Sequence, residues 1–325
     1  MLLIALLLVP LATAAVAFAA RRRAAMEWAN VAGFGIVFLI ALVVAAEVLH
    51  AGSVSLANGF FYADALSALV ILLTASVTLV CATYAVGYLR DDERSGALGD
   101  DETGAEQLRQ LRMYYTLTPL FVFAMLFVAV ANNLGVMWAG VEATTLASVF
   151  LVTFYGKITS IEAAWKYAII GGVGLSMALF GTLLAYYAGH RLAGSEALAG
   201  LNWSVLASHA AELDRPSMRL SFVLILLGYG TKAGLAPMHT WKPDAYSEGP
   251  IPSTAILSSA LLNCALYAMI RFYILTRGCL GAEYPGHLLL LFGLLSMGVS
   301  VPFILCRRIF GGCWRTTPSI TPALW

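Results

Sequence analysis

Charged side chains are scarce in this sequence: Asp, Glu, Lys and Arg make up 11% of its 325 residues, against roughly 25% in ordinary soluble domains. With 60% hydrophobic residues and a mean hydropathy of +0.83, that scarcity excludes a soluble globular chain and leaves a polytopic membrane protein. The net charge is +1. Its positive residues are scattered between apolar runs, which excludes nucleic acid or another polyanion as partner. Close cysteine pairs are also missing. Cys81, Cys264, Cys279, Cys306 and Cys313 lack the CxxC spacing of zinc and iron–sulfur sites and read as small hydrophobes. The expectation is therefore no cofactor and no redox centre in this chain, so that electron chemistry resides on partner subunits. The acidic stretch Arg90 to Arg112 holds Asp91, Asp92, Glu93, Asp100, Asp101, Glu102 and Glu106, but lacks the glycine and bidentate spacing of a calcium loop. It reads as a solvated linker.

What is abundant is apolar runs of about 20 residues, the length that crosses a bilayer. They predict helices near 2–20, 29–49, 64–88, 113–131, 134–154, 163–188, 218–236, 252–275 and 285–305, or about nine spans in an all-α fold. The first run has the small residues of a signal peptide, but Arg21, Arg22 and Arg23 follow it instead of preceding it, the wrong flank for secretion. Counting Lys and Arg between spans places Arg21–Arg23, Arg90–Arg112, Lys157, Lys242, Arg307 and Arg308 on the cytoplasmic side. The N-terminus is then outside.

Three ionisable residues lie within or at the edge of these runs: Glu142, Lys166 and Lys232. A charge at membrane depth is costly, so it pairs or lines a hydrated path. Glu142 lies mid-span on a stem too short to reach the interface. With Lys232 of opposite sign it forms the expected ion pair, and separating the two would favour protonated Glu142. Lys166 stands near the start of its span, where a lysine stem can reach the interface or turn inward; both readings remain open. The remaining histidines His50, His190, His209 and His287 fall in or near loops and read as solvated.

The segment GYGTKAGLAPMHTWKPDAYSEGPIPS is the most distinctive. Pro237 removes a backbone donor and Gly228, Gly230 and Gly234 weaken the helix before it, which predicts an interrupted helix of the kind transporters use. The plainer reading is a helix ending at the surface with PMHTWKPDA as its exit loop. His239 could relay protons near neutral pH, whereas Asp244 after Pro243 could merely cap a turn.

NNLGVMWAGVEATTLAS, EAAWKY, the interrupted segment, LLNCALYAMIRFY and the earlier FYADALSAL together resemble the antiporter-like membrane subunits shared by respiratory NADH dehydrogenase, membrane-bound hydrogenases and multisubunit sodium/proton antiporters. The nearest branch is hydrogenase-4 component F. The resemblance runs from about Phe61 to about Leu305 and implies a fold of two inverted five-helix repeats. It divides this chain into helices 1–3 with the acidic loop (1–112), one intact repeat with a broken seventh helix (113–277) and the start of the second repeat (278–306). The implied proton-translocating residues are Glu142, Lys232, Lys166 and His239, with Pro237 at the helix break. It also implies other membrane subunits as partners, a peripheral nickel-iron hydrogenase or NADH dehydrogenase module, and the cytoplasmic membrane of a bacterium. The alternatives are a stand-alone monovalent cation/proton antiporter and an inactive fragment.

This sequence departs from the pattern at Asn263, where many relatives carry a lysine, and at Lys242 and Tyr246, two edge positions where change should cost little. From about Arg308 the membrane pattern is lost. Codons compatible with IFGGCWRTTPSITPALW, read from each third base, can encode DFRRLLAYHSIDHAGI, which resembles the family segment after the ninth helix. The expectation is a single-base frameshift between about Ile304 and Ile309, with 307–325 out of frame.

Overall fold

The computed structural model describes residues 1–96, 104–190 and 199–306. Helices α1 (Leu2–Ala19) and α2 (Arg23–Ala51) lead into a hairpin, β1 (Ser53–Leu56) paired antiparallel with β2 (Phe61–Asp64). Helices α3 (Ala65–Arg94), α4 (Gly104–Val130), α5 (Leu134–Val152) and α6 (Ile158–Gly189) follow. After them come α7 (Trp203–Ser208), α8 (Arg215–Ala233), α9 (Trp241–Glu248) and α10 (Ile251–Ile256). A π turn, Leu257–Leu261, joins α10 to α11 (Leu262–Leu280), and α12 (Glu283–Cys306) closes the described chain.

The polytopic helical fold is as expected. Eight described helices, α1 to α6, the continuous Ile251–Leu280 and α12, are long and apolar enough to cross a membrane. The ninth expected span, α8, is a 19-residue helix whose Arg215, Arg219, Lys232 and glycines dilute its apolar character. It is sustained by burial, since Phe222, Ile225, Leu226 and Tyr229 are all within 1% of fully buried against α6 and α11.

The chain reverses at each long helix, which leaves two ends. At the hairpin end, Asn132 ties the hairpin to α7, donating to Gly59 O at 2.6 Å and Ser204 Oγ at 2.9 Å while accepting from Ser204 N at 3.1 Å. At the other, basic end, the expected linker from Arg90 to Arg112 shrinks. Helix α3 runs on to Arg94 and α4 begins at Gly104, because Arg, Glu and Gln are good helix formers that hydropathy overlooks. Asp100, Asp101 and Glu102 lie outside the described residues, as do Arg307, Arg308, Cys313 and the segment assigned to the frameshift. Part of the basic count is structural. Buried Glu27 accepts from Arg23 Nε at 2.8 Å and Arg90 Nη2 at 2.5 Å, which draws α2 and α3 together.

Helices α6 and α8 pack closely because small residues line their crossing. A Cβ built on Gly228 would sit 2.5 Å from Ala178 N and 2.6 Å from Gly174 O, so only glycine allows this approach. Ser221 Oγ seals the crossing, donating to Gly181 O at 2.7 Å. The packing fixes the height of everything α8 carries.

Candidate functional site

Helix α8 ends at Ala233, earlier than Pro237. Gly234 takes the left-handed conformation (φ 71°, ψ 44°), its N–H bonds Thr231 O at 3.1 Å, and the Leu235 N–H bonds Gly230 O at 2.8 Å. This Schellman pattern satisfies the last carbonyls of the helix and stops it. Pro237 lies inside the resulting break, which spans 234–240 before α9 resumes, so the interrupted-helix reading holds with its stop moved to Gly234. His239 lies in the same break and accepts the Lys242 N–H at 3.0 Å through its carbonyl.

Lys232 therefore occupies the last turn of α8, 1% exposed. Its Nζ donates to Thr145 Oγ1 at 2.8 Å and to the Tyr167 hydroxyl, and it lies 4.6 Å from the Tyr167 ring centroid. Because the Tyr167 oxygen accepts from the ammonium, its own hydrogen is left to donate to Ser148 Oγ, 2.7 Å away. Ser148 in turn donates to Thr144 O at 2.7 Å. The result is a directed chain from a buried cation through two hydroxyls into the backbone of α5.

Glu142 lies on α5 one turn from Thr145. Its Oε2 is buried and accepts no hydrogen bond from the described residues. The expected Glu142–Lys232 ion pair is not formed directly: no described ion pair within 4.0 Å joins them, although they interact electrostatically. Lys232 ends level with Thr145, about 4.5 Å along the α5 axis from Glu142, and hydroxyls take its donors.

The break is held against this site. Trp241 Nε1 donates to Thr231 O at 2.9 Å, and its ring stacks 4.6 Å from that of Tyr167. Lys242 and Tyr246 are not the inexpensive edge positions expected: Tyr246 is 4% exposed beside Trp241, and the Lys242 stem fills the space a Gly234 side chain would need.

Lys166 does not join the Lys232 site. One residue from Tyr167, it points about 100° away around α6. There it is half exposed and pairs with Glu162 and Asp244, each at 2.9 Å. Asp244 is thus an ion-pair partner from α9. Asn263 spends its amide on Ser259 O at 2.7 Å, within the π turn.

Sequence reasoning missed Thr145, Ser148, Tyr167 and Trp241. The signal was present: Thr145 stands at i+3 from Glu142, on the same helical face.

It also missed a second charged cluster, at the hairpin end. Arg271, 2% exposed, forms a bidentate pair with Asp64, both bonds at 2.7 Å, and donates to Ser67 Oγ at 2.9 Å. Burial pushes the Asp64 carboxyl up, but the Arg271 hydrogen bonds, the Ser67 backbone N–H and the guanidinium charge outweigh it and hold the carboxyl below its ordinary 3.8. A depressed carboxyl stabilises the fold above its unfolded pKa, and that contribution is lost as pH falls through the folded value. Asp64→Asn is thus expected to cost roughly 1.5–3 kcal/mol at neutral pH. The penalty should shrink below about pH 4. Thermal melting of both proteins across pH checks this, and a penalty constant from neutral to strongly acidic pH refutes it.

The profile of the family described as NADH:quinone oxidoreductase/Mrp antiporter, TM, matches residues 131–299, the stretch holding Glu142, Tyr167, Lys232 and Arg271. The chain is 42% identical over 251 residues to a hydrogenase-4 component F homolog of Methylacidiphilum infernorum, covering 77% of this chain and 51% of that one. It spans about half the length of that relative, and less of several others. Its fold is similar to a chain of the archaeal membrane-bound sulfane sulfur reductase, with a TM-score of 0.72 at 22% identity over 90% of this chain and 57% of that one. It is also similar to a chain of respiratory complex I from Thermus thermophilus, with a TM-score of 0.70 at 22% identity over 94% and 59%.

Proposed function

This chain belongs to the NADH:quinone oxidoreductase/Mrp antiporter transmembrane family, and from that premise we propose that it is a proton-translocating subunit of a hydrogenase-4-type or NADH dehydrogenase-type membrane complex. The observation that carries this reading is buried Lys232, bonded to hydroxyls near a carboxylate oxygen that accepts no hydrogen bond from the described residues. In such a site Lys232 and Glu142 exchange protonation states as their separation changes. Thr145 and Tyr167 hold the Lys232 ammonium between them, and Ser148 fixes the Tyr167 hydroxyl that accepts from it. Lys166 and His239 flank the break as entry-side groups, Lys166 by tethering α9 through Asp244. The driving force is a conformational or electrostatic push from partner subunits, in keeping with a redox module attached elsewhere. Kinship with a hydrogenase-4 component F homolog favours a nickel-iron hydrogenase as that module.

Affinity purification of the chain from its native membrane is expected to recover further membrane subunits with a peripheral oxidoreductase. Vesicles of that complex should acidify in step with electron flux in sodium-free buffer. Sodium-dependent transport by the isolated chain would instead identify a stand-alone antiporter. We place the basic end in the bacterial cytoplasm and the N-terminus outside. In a cysteine-free background, an impermeant thiol reagent on intact cells should then label Ser55→Cys and spare Ser95→Cys; the reverse pattern inverts the topology.

A further inference from the structure

The Arg271 cluster stands in line with the Lys232 site. On α11, Cys264, Tyr267 and Arg271 recur at helical spacing on one face, each no more than 2% exposed. Cys264 lies in the electrostatic field of Lys232, and Arg271 is about 10 Å further toward the hairpin end. A path continuing outward from Lys232 along this face meets Arg271.

The hydrogen bonds there run the wrong way for conduction. Arg271 donates to Ser67 Oγ. The Tyr267 hydroxyl, 3.0 Å from Ser67 Oγ, donates to Ala129 O at 3.1 Å, which leaves Ser67 donating to Tyr267. The hydrogens therefore run from Arg271 to the carbonyl of Ala129 in the last turn of α4. A proton relay needs members that both accept and release protons. This one ends on one side in a carbonyl with no proton to give, and on the other in a guanidinium that does not deprotonate. The ion pair is also oriented: the Asp64 side chain is 21% exposed and that of Arg271 3%, so the carboxylate lies nearer the surface and the cation is enclosed. The Trp203 and Tyr267 rings lie 4.1 and 4.8 Å from the guanidinium and enclose it.

Resting on the reading that protons reach Lys232, we infer that Arg271, held by Asp64, is an electrostatic seal that blocks cation passage from the Lys232 site to the hairpin end. Fixed arginines exclude protons and cations from other membrane pores by the same physics. The seal makes Arg271 a specificity-determining residue that prevents the site from short-circuiting the membrane.

The test is passive proton entry into vesicles containing the full chain, driven by an imposed potassium diffusion potential and read by trapped pyranine. Arg271→Gln is expected to raise the leak about tenfold, whereas Arg271→Lys, which keeps the charge but not the bidentate fit, should stay within about twofold of the parent. The double variant Asp64→Asn/Arg271→Gln removes both charges while keeping the volume, and it should leak like the single variant even if Arg271→Gln alone fails to fold. Equal leaks from the Lys and Gln variants would mark a packing role and overturn the seal, as would a tight, folded double variant. Glu142→Gln separates this inference from the proposed function. Tight Arg271→Gln vesicles alongside pumping lost in Glu142→Gln would sink the seal and keep the function. A leak that appears in Arg271→Gln and persists with Glu142→Gln added would keep the seal and remove Glu142 from the path.

Discussion

Lys232→Met or Glu142→Gln in the assembled complex is expected to lower proton translocation at fixed electron flux at least about tenfold, since a positioned acid–base group contributes roughly 10²–10⁴-fold. The double variant should be no worse than the poorer single one, because groups that act as a unit are not additive. Lys232 contributes the movable cation, held by Thr145 and Tyr167 rather than by the carboxylate. Glu142 contributes the buried oxygen that accepts no hydrogen bond from the described residues. Removing the lysine leaves the carboxylate without its nearby charge; removing the carboxylate leaves the ammonium on hydroxyls alone. Tyr167→Phe deletes the link to Ser148 while keeping the ring over Lys232 and against Trp241, so an intermediate loss is expected. Pumping measured against substrate oxidation decides the matter: a normal ratio of protons to electrons in either charge-removing single variant removes that residue from the mechanism.

The second large effect is on stability. Gly228→Leu forces a side chain against Ala178 N and Gly174 O, backbone atoms that cannot rotate aside. Overpacking of this kind costs typically 1–3 kcal/mol where side chains can yield, so at least about 3 kcal/mol is expected here. The lower bound follows because the whole α6–α8 contact must open. Gly87→Ala is the control: nothing lies within 4 Å of its Cβ, and a helix-interior alanine there should stabilise by roughly 0.5–1 kcal/mol. Thermal melting in detergent compares the two. A Gly228→Leu protein that melts with the parent would show that α6 and α8 are not in contact as described.

The helices were legible because bilayer length and apolar runs coincide: a span expected at 134–154 is observed at Leu134–Val152. Boundaries failed where charged helix formers carry a helix beyond the apolar run, as at Arg90–Arg94 in α3. The break was legible in its glycines and proline, but its stop was not, because it depends on a left-handed Gly234 and two backbone bonds that Pro237 does not enter. Glu142 and Lys232 stood out as charges in apolar surroundings. Thr145, Ser148 and Tyr167 did not, since hydroxyl residues are ordinary in membrane helices and acquire meaning only when α5, α6 and α8 converge. Arg271 met the same criterion as Lys232 within LYAMIRFYIL. Its partner Asp64 is far away in sequence, where it also caps α3.

Helix α9 is held to its neighbours by contacts of unlike character. One is buried Trp241, whose ring lies tilted against Tyr167 of α6 while its indole N–H reaches Thr231 O of α8; the exposed ones are the bridge from Asp244 to Lys166 and the bond from Thr159 Oγ1 to Glu248. Mobile ions screen exposed charges over a Debye length of about 8 Å at physiological ionic strength and leave a buried aromatic contact almost untouched. Raising the salt concentration therefore weakens the exposed bridge and spares the buried contact. In this chain salt is thus expected to act on the outer edge of α9 and to leave the Trp241 contact beside Lys232 in place.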